Sequence, residues 1–130
     1  MPRVGRRAGR ERGSGTVLVA AVMLVLLLLA GLVAIVIGYV AALHTARGAA
    51  DLVALSGAAE RARGGDACVA ARNLAAANRV SLVTCRARGD SLDYVVSVTV
   101  ATTVDFGVPS LPRQVRASAH AGRLGLGQGG

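Results

Sequence analysis

The chain has no lysine and no tryptophan, and among its 130 residues there are one phenylalanine, two tyrosines, two histidines and two cysteines. So few rings leave little for nucleic-acid bases to stack on, and nucleic acid is not an expected partner. With each cysteine alone in its neighbourhood and only His44 and His120 besides, no spacing resembles a metal site. Serines and acids are present, but no nucleophile, base and orienting group can be nominated together, so the chain is not read as an enzyme. No cofactor and no small-molecule substrate are expected. Also missing is any Asp, Glu, Arg or His between Arg12 and His44.

That last absence is the most informative. Thr16 to Leu43 is almost entirely Val, Leu, Ile and Ala, broken by Gly31 and Gly38. A secretory signal carries an apolar region of about 7 to 15 residues, whereas about 20 helical residues cross a bilayer core. The run is long enough to span, and a domain this small has too little other apolar surface to surround such a helix. The expected arrangement is a single-pass membrane helix over 14–44, with the lipid bilayer as its first partner.

Charge sets the expected orientation. All 15 basic residues are arginine, against 7 acids, for a net +8. Five arginines and Glu11 precede the apolar run, and ten arginines and six acids follow it, so each flank carries +4. Arginines crowded before a membrane segment resist translocation. Residues 1–13 therefore read as a cytoplasmic leader in the cell membrane, with the C-terminal part extracytoplasmic. Lysine-free, Ala/Gly/Val-rich usage suggests a high-GC bacterial genome.

Within the run, Ala30, Ala34, Gly38 and Ala42 recur every fourth residue, a spacing that lets helix backbones approach closely in lipid. The same spacing also arises by accident in a chain this rich in Ala and Gly.

Beyond the run the helical pattern continues through "TARGAADLVALSGAAERARGG", where Arg47 and Asp51 are spaced to pair and Leu52, Val53 and Leu55 interrupt small residues. Arg61, Arg63 and Gly64-Gly65 are stop signals, and Asp66 is placed to cap a second helix, "ACVAARNLAAANR". "RVSLVTCRA" reads as a strand and "RGDS" as a turn, a better reading of Arg88-Gly89-Asp90 than a cell-adhesion tripeptide. Tyr94, Val96, Val98 and Val100 alternate with Val95, Ser97, Thr99 and Ala101 in a second strand, and "QVRASAHA" alternates again in a third. The fold class is α+β: a long helix, a short helix and a small antiparallel sheet of about three strands in an outer domain over 45–122. Residues 123–130 form a Gly-rich tail expected to be flexible, and the match of Gly125–Gly130 to G-x-G-x-x-G follows no strand-to-helix junction.

Cys68 and Cys85 fall on the second helix and the first strand, both outside the cell, where a disulfide can form. The alternative is two buried thiols acting as small apolar groups.

Two stretches carry a family resemblance. "RERGSGTVLV" resembles the start of TadE/TadG-like minor pilins of Tad pilus systems, where a basic leader, a glycine and a small residue precede a long apolar helix. "RGAADLVALSGAA" resembles the pattern that follows that helix, carried here by Ala49, Ala50, Asp51, Ala54, Leu55, Gly57 and Ala58. The chain as a whole is most similar to short actinobacterial TadE-like pseudopilins encoded near secretion ATPase genes, over roughly residues 10–100. The resemblance implies cleavage by a prepilin peptidase between Gly13 and Ser14, and other pilin-like or secretion-apparatus membrane proteins as partners. It departs from the family at Leu18, where a Glu usually stands five residues after the cut to meet a neighbouring subunit's amine. The function so implied is a structural component of a Tad-type pilus or secretion apparatus. The alternatives are a tethered or exported cell-envelope binding module and a secreted effector released near residues 44–50.

Overall fold

The computed structural model describes residues 12–105, 107–110 and 113–125; the leader up to residue 11 and the glycine-rich end from residue 126 lie outside the described residues. The elements are α1 (Arg12–Ala62), α2 (Ala67–Ala77), β1 (Ser81–Gly89), β2 (Tyr94–Thr103) and β3 (Gln114–Arg123). The three strands make one antiparallel sheet in the order β1-β2-β3. The α+β architecture expected of the sequence is the observed one.

The chain divides into two compact units, Met1–Ile37 and Gly38–Gly130. The division falls several residues before the 44/45 boundary expected from hydropathy. The reason is local: Ala42 and Leu43, apolar by type, are half-buried and pack against the core of the second unit.

In the first unit, α1 has nothing to cover it. Val17, Leu18, Leu27 and Leu28 are each about two-thirds exposed, and Val22, Val25, Leu26 and Leu29, on other faces of the helix, are each about half exposed. One helix among the described residues is long and apolar enough to cross a membrane, and its most apolar window is 0% buried. Hydrocarbon on every face is the pattern of a helix whose solvent is lipid.

The second unit is built on small side chains. Ala46, Ala49, Ala50, Val53, Ala54, Gly57 and Ala58 recur at three- and four-residue steps, so they share one face of α1, and that face is buried. Leu52 and Leu55 point the other way and stay more than half exposed. The sequence suggested leucines breaking a small-residue surface; in the fold the small residues are the core and the leucines lie outside it. Arg47 and Asp51 are both exposed and form no ion pair, consistent with the little that a solvated pair gains over hydration.

Gly57 shows why this face must be small. A Cβ placed there would lie 3.0 Å from the Ala67 carbonyl oxygen and 3.0 Å from Val96 Cγ1. Gly57→Ala sets a helix-propensity gain of about 1 kcal/mol against that crowding. Gly57→Val adds bulk that cannot be accommodated, and is expected to lower unfolding stability by about 1–3 kcal/mol. Urea titration of the two variants in detergent checks this; equal stability of Gly57→Val and the parent would contradict it.

The chain ends α1 with Gly64 in the left-handed region (φ 82°), where glycine carries no Cβ penalty. The amides of Gly64 and Gly65 then donate to the carbonyls of Arg61 and Glu60. Asp66 caps α2 as its position implied, its carboxylate accepting from the amides of Cys68 (2.9 Å) and Val69 (3.1 Å). Ala67, Ala71 and Ala75 form the buried side of α2.

On β2, Tyr94, Val96, Val98 and Val100 are all buried, as the alternation predicts. The Tyr94 hydroxyl donates to the Ala58 carbonyl at 3.1 Å, tying β2 to α1 inside the core. Val115, Ala117 and Ala119 of β3 complete the same face. β1 behaves differently: its register against β2 slips between Leu82 and Thr84. One extra residue there reverses the side-chain alternation, which is how both Leu82 and Cys85 come to pack on the core.

β3 runs to Arg123, one residue into the stretch expected to be tail, because Arg123 still pairs with Tyr94. Just beyond it the Gly125 amide donates to the Asp93 carboxylate.

Candidate functional site

Among the described residues no cleft gathers the chemistry-bearing side chains, so the sites to weigh are the ends of the apolar helix, its small-residue stripe, the disulfide and the surfaces of the second unit. Gly13 and Ser14 lie in the first turn of α1, both exposed. A prepilin peptidase would meet the bond between them at the mouth of the helix. Leu18 follows on the next turn with its side chain exposed.

The stripe Ala30, Ala34, Gly38 and Ala42 does not stay together. Four residues turn an α-helix by about 400°, so each step drifts about 40° and the stripe winds by about 120° from end to end. Ala30 and Ala34 are exposed in the first unit, while Ala42 is half-buried against the core of the second. Only the first part remains open for another helix.

Cys68 and Cys85 are joined in a disulfide, with Cα atoms 5.7 Å apart and a separation of 17 positions in sequence. It ties α2 to β1, the two elements that otherwise meet through alanines. Both residues are half-buried, and no free cysteine remains among the described residues.

His44 is exposed on α1. His120 stands on β3, with Nδ1 2.7 Å from the Ser97 hydroxyl of β2. Among the described residues, no three His, Cys, Asp or Glu side chains are grouped to hold a metal ion. A shallow depression of about 330 Å³ lies beside the α1–α2 turn, lined by Glu60, Asp66, Val69, Ala70 and Asn73. Its carboxylates already have work: Glu60 pairs with Arg63 at 3.1 Å and Asp66 caps α2.

The Arg88-Gly89-Asp90 tripeptide is consumed by the hairpin. Gly89 takes φ 104°, a conformation that L side chains rarely adopt, and its carbonyl accepts from Arg61 Nη2 at 3.2 Å. The Asp90 carboxylate turns back onto the loop and accepts from the amides of Leu92 (2.8 Å) and Asp93 (2.9 Å). Those two donors, the Asp93 amide first, hold its pKa below the ordinary 3.8, with a smaller contribution from the Arg61 charge. A depressed carboxyl pKa makes the folded hairpin favour the charged form. Its contribution is complete above pH 3.8 and is lost as pH falls through the lowered folded value. Acid titration by NMR should therefore find the Asp90 carboxyl titrating below the ordinary 3.8, and Asp90→Asn should flatten the acid limb of unfolding; a normal Asp90 titration would contradict the hairpin geometry.

Sequence reasoning did not find the outer face of the sheet. There the register aligns Arg86 with Ser97 and His120, and Thr99 shares a 2.8 Å hydrogen bond with Ser118. The only signal for it was alternation in β2 and β3, which marks a wet face without saying what charge it carries.

Compared with family models, curated proteins and solved structures, the chain matches none.

Proposed function

We propose that this chain is a membrane-anchored structural component of a Tad-type pilus or secretion apparatus, a minor pseudopilin-like subunit that works by lateral association and not by chemistry. The observation that carries the reading is the apolar helix exposed on every side, followed directly by a disulfide-tied α+β domain. Lipid is the medium that such a surface requires. Arginines crowded before the helix resist translocation, which supports a cytoplasmic N-terminus and an outer domain, and an oxidising exterior is where a bond such as Cys68–Cys85 is stable. The motif shared with TadE-like proteins supports the assignment in a physical way: Ala49, Ala50, Ala54, Gly57 and Ala58 are the buried face of α1, so the motif is the imprint of a sheet packed closely on that helix.

In assembly, burial in lipid holds the subunit, the small side chains at Ala30 and Ala34 let a neighbouring helix approach, and the outer domain offers its surface to partners. The second reading, a tethered envelope-binding module, draws its support from Leu18, since the absent carboxylate removes the docking device that pilin-type assembly uses.

Intact-mass analysis of the protein purified from membranes that contain a prepilin peptidase separates the two. A chain beginning at Ser14 is the pseudopilin result. A chain retaining the basic leader is the tether, and a soluble product beginning near residues 44–50 would overturn both.

A further inference from the structure

The positive charge that follows the apolar run is not spread evenly. Ten arginines and six acids occupy that part of the chain. The alternation in which Val96, Val98 and Val100 are buried puts Arg86, Arg88 and Arg116 on the opposite, outer face of the sheet, all three exposed, with no Asp or Glu on that face of any strand. The other seven arginines are nearly balanced by the six acids. Three of the four net positive charges therefore sit on one face.

That face is also mostly polar. Between the arginines stand Ser97, Thr99, Ser118 and His120, hydroxyl and imidazole groups, with Val95 opposite Arg88 and Ala101 opposite Arg116 as the apolar members on β2. Strand residues two apart are about 6.8 Å apart and neighbouring strands about 4.8 Å apart. From that spacing and the register, the line from Arg88 through Arg86 to Arg116 crosses the sheet diagonally over roughly 20 Å. Nothing encloses it, so a single small anion would meet one guanidinium and remain in water. A linear chain of oxyanions can meet all three, and its second and third contacts form at high effective concentration. Guanidinium groups match phosphate oxygens in bidentate geometry, which favours phosphate as the repeating charge.

We propose that the outer face of the β1-β2-β3 sheet is a docking surface for a linear phosphate-bearing polymer, held by Arg86, Arg88 and Arg116. The face has no Phe, Tyr or Trp, and its single ring, the His120 imidazole, is held against the Ser97 hydroxyl at 2.7 Å, so it offers no run of rings for successive bases, which sets this partner apart from single-stranded nucleic acid. Its one exposed larger apolar side chain on β2 is Val95, opposite Arg88, and a lone valine is too little to insert among acyl chains, which sets the face apart from a membrane surface. The surface is independent of whether the chain assembles into a filament.

The test uses the full-length protein in zwitterionic lipid nanodiscs, with long-chain inorganic polyphosphate as the probe. One triple variant carries Arg86→Ala, Arg88→Ala and Arg116→Ala. A second carries Arg47→Ala, Arg63→Ala and Arg72→Ala, three exposed arginines off the face. Both lose the same charge and keep the leader arginines, so their difference reads the sheet alone. The face variant is expected to bind polyphosphate at least about tenfold more weakly at low salt, and its salt slope should shrink by about 2, while the off-face variant keeps most of its affinity. Preserved far-UV circular dichroism and an intact disulfide confirm folding of both. Equal loss in the two variants overturns the proposal, as does no binding by the parent, preferential binding of single-stranded DNA, or a preference for anionic lipid discs over the polymer.

Discussion

Replacing Cys68 and Cys85 together by alanine is expected to lower the stability of the second unit by about 3 kcal/mol, the chain-entropy value for a loop of this length. The residues are 17 apart in sequence, and the bond joins α2 to the edge strand β1. The effect is large because the alternative cohesion is small. The buried side of α2 is Ala67, Ala71 and Ala75, and burying a methyl group contributes about 0.8 kcal/mol per carbon. Without the cross-link, α2 must hold to the sheet through three such groups and Leu74. For a unit of this size the loss corresponds to a fall of roughly 12–24 °C in the melting temperature. Thermal unfolding of the parent and the double variant in the same detergent measures it, and reduction of the parent should reproduce the shift. A melting temperature unchanged within a few degrees would mean that α2 is held by something other than this bond.

A second large effect is expected in the first unit. Leu27→Arg combined with Leu28→Arg puts two guanidinium groups in the middle of the apolar run, at about 2.5–3.5 kcal/mol each. The run cannot slide to escape them. The longest uninterrupted apolar stretch left, residues 29–43, has fifteen residues, fewer than the roughly 20 a bilayer requires. The parent should stay with the membrane through alkaline carbonate extraction, and the double variant should leave it or fail to insert. A double variant that resists extraction as fully as the parent would show that the exposed helix in residues 13–37 is covered by protein and not by lipid.

Much of the fold is legible in the sequence where one physical signal dominates. The apolar run announces itself by length, Asp66 by its place after the Gly64-Gly65 stop, and β2 by the period-two recurrence of Tyr94, Val96, Val98 and Val100. With two cysteines in the chain, the pairing of Cys68 with Cys85 has a single intramolecular solution. Other parts are illegible for definite reasons. Alanine is nearly neutral between surface and core, so no pattern of Ala46, Ala50 and Ala54 against Leu52 and Leu55 says which side a sheet will cover. The extra residue near Val83 shifts β1 out of period, which hides the fact that Leu82 and Cys85 share a face. The charge on the outer face is invisible for a related reason: Arg86 and Arg116 are thirty residues apart, and only cross-strand register brings them onto one surface.

The alanine-dominated interior of the second unit carries a thermal consequence. Among its buried side chains, Val53, Val96, Val98 and Val100 are the largest that are fully enclosed. Alanine surrenders no rotamer freedom on folding, and it exposes little hydrocarbon on unfolding. The heat-capacity increment of unfolding scales with that hydrocarbon, so it should fall below the usual 12–15 cal/mol/K per residue, an approximate range. A small increment flattens the dependence of stability on temperature. A domain packed in this way keeps nearly the same margin in the cold as in the warm.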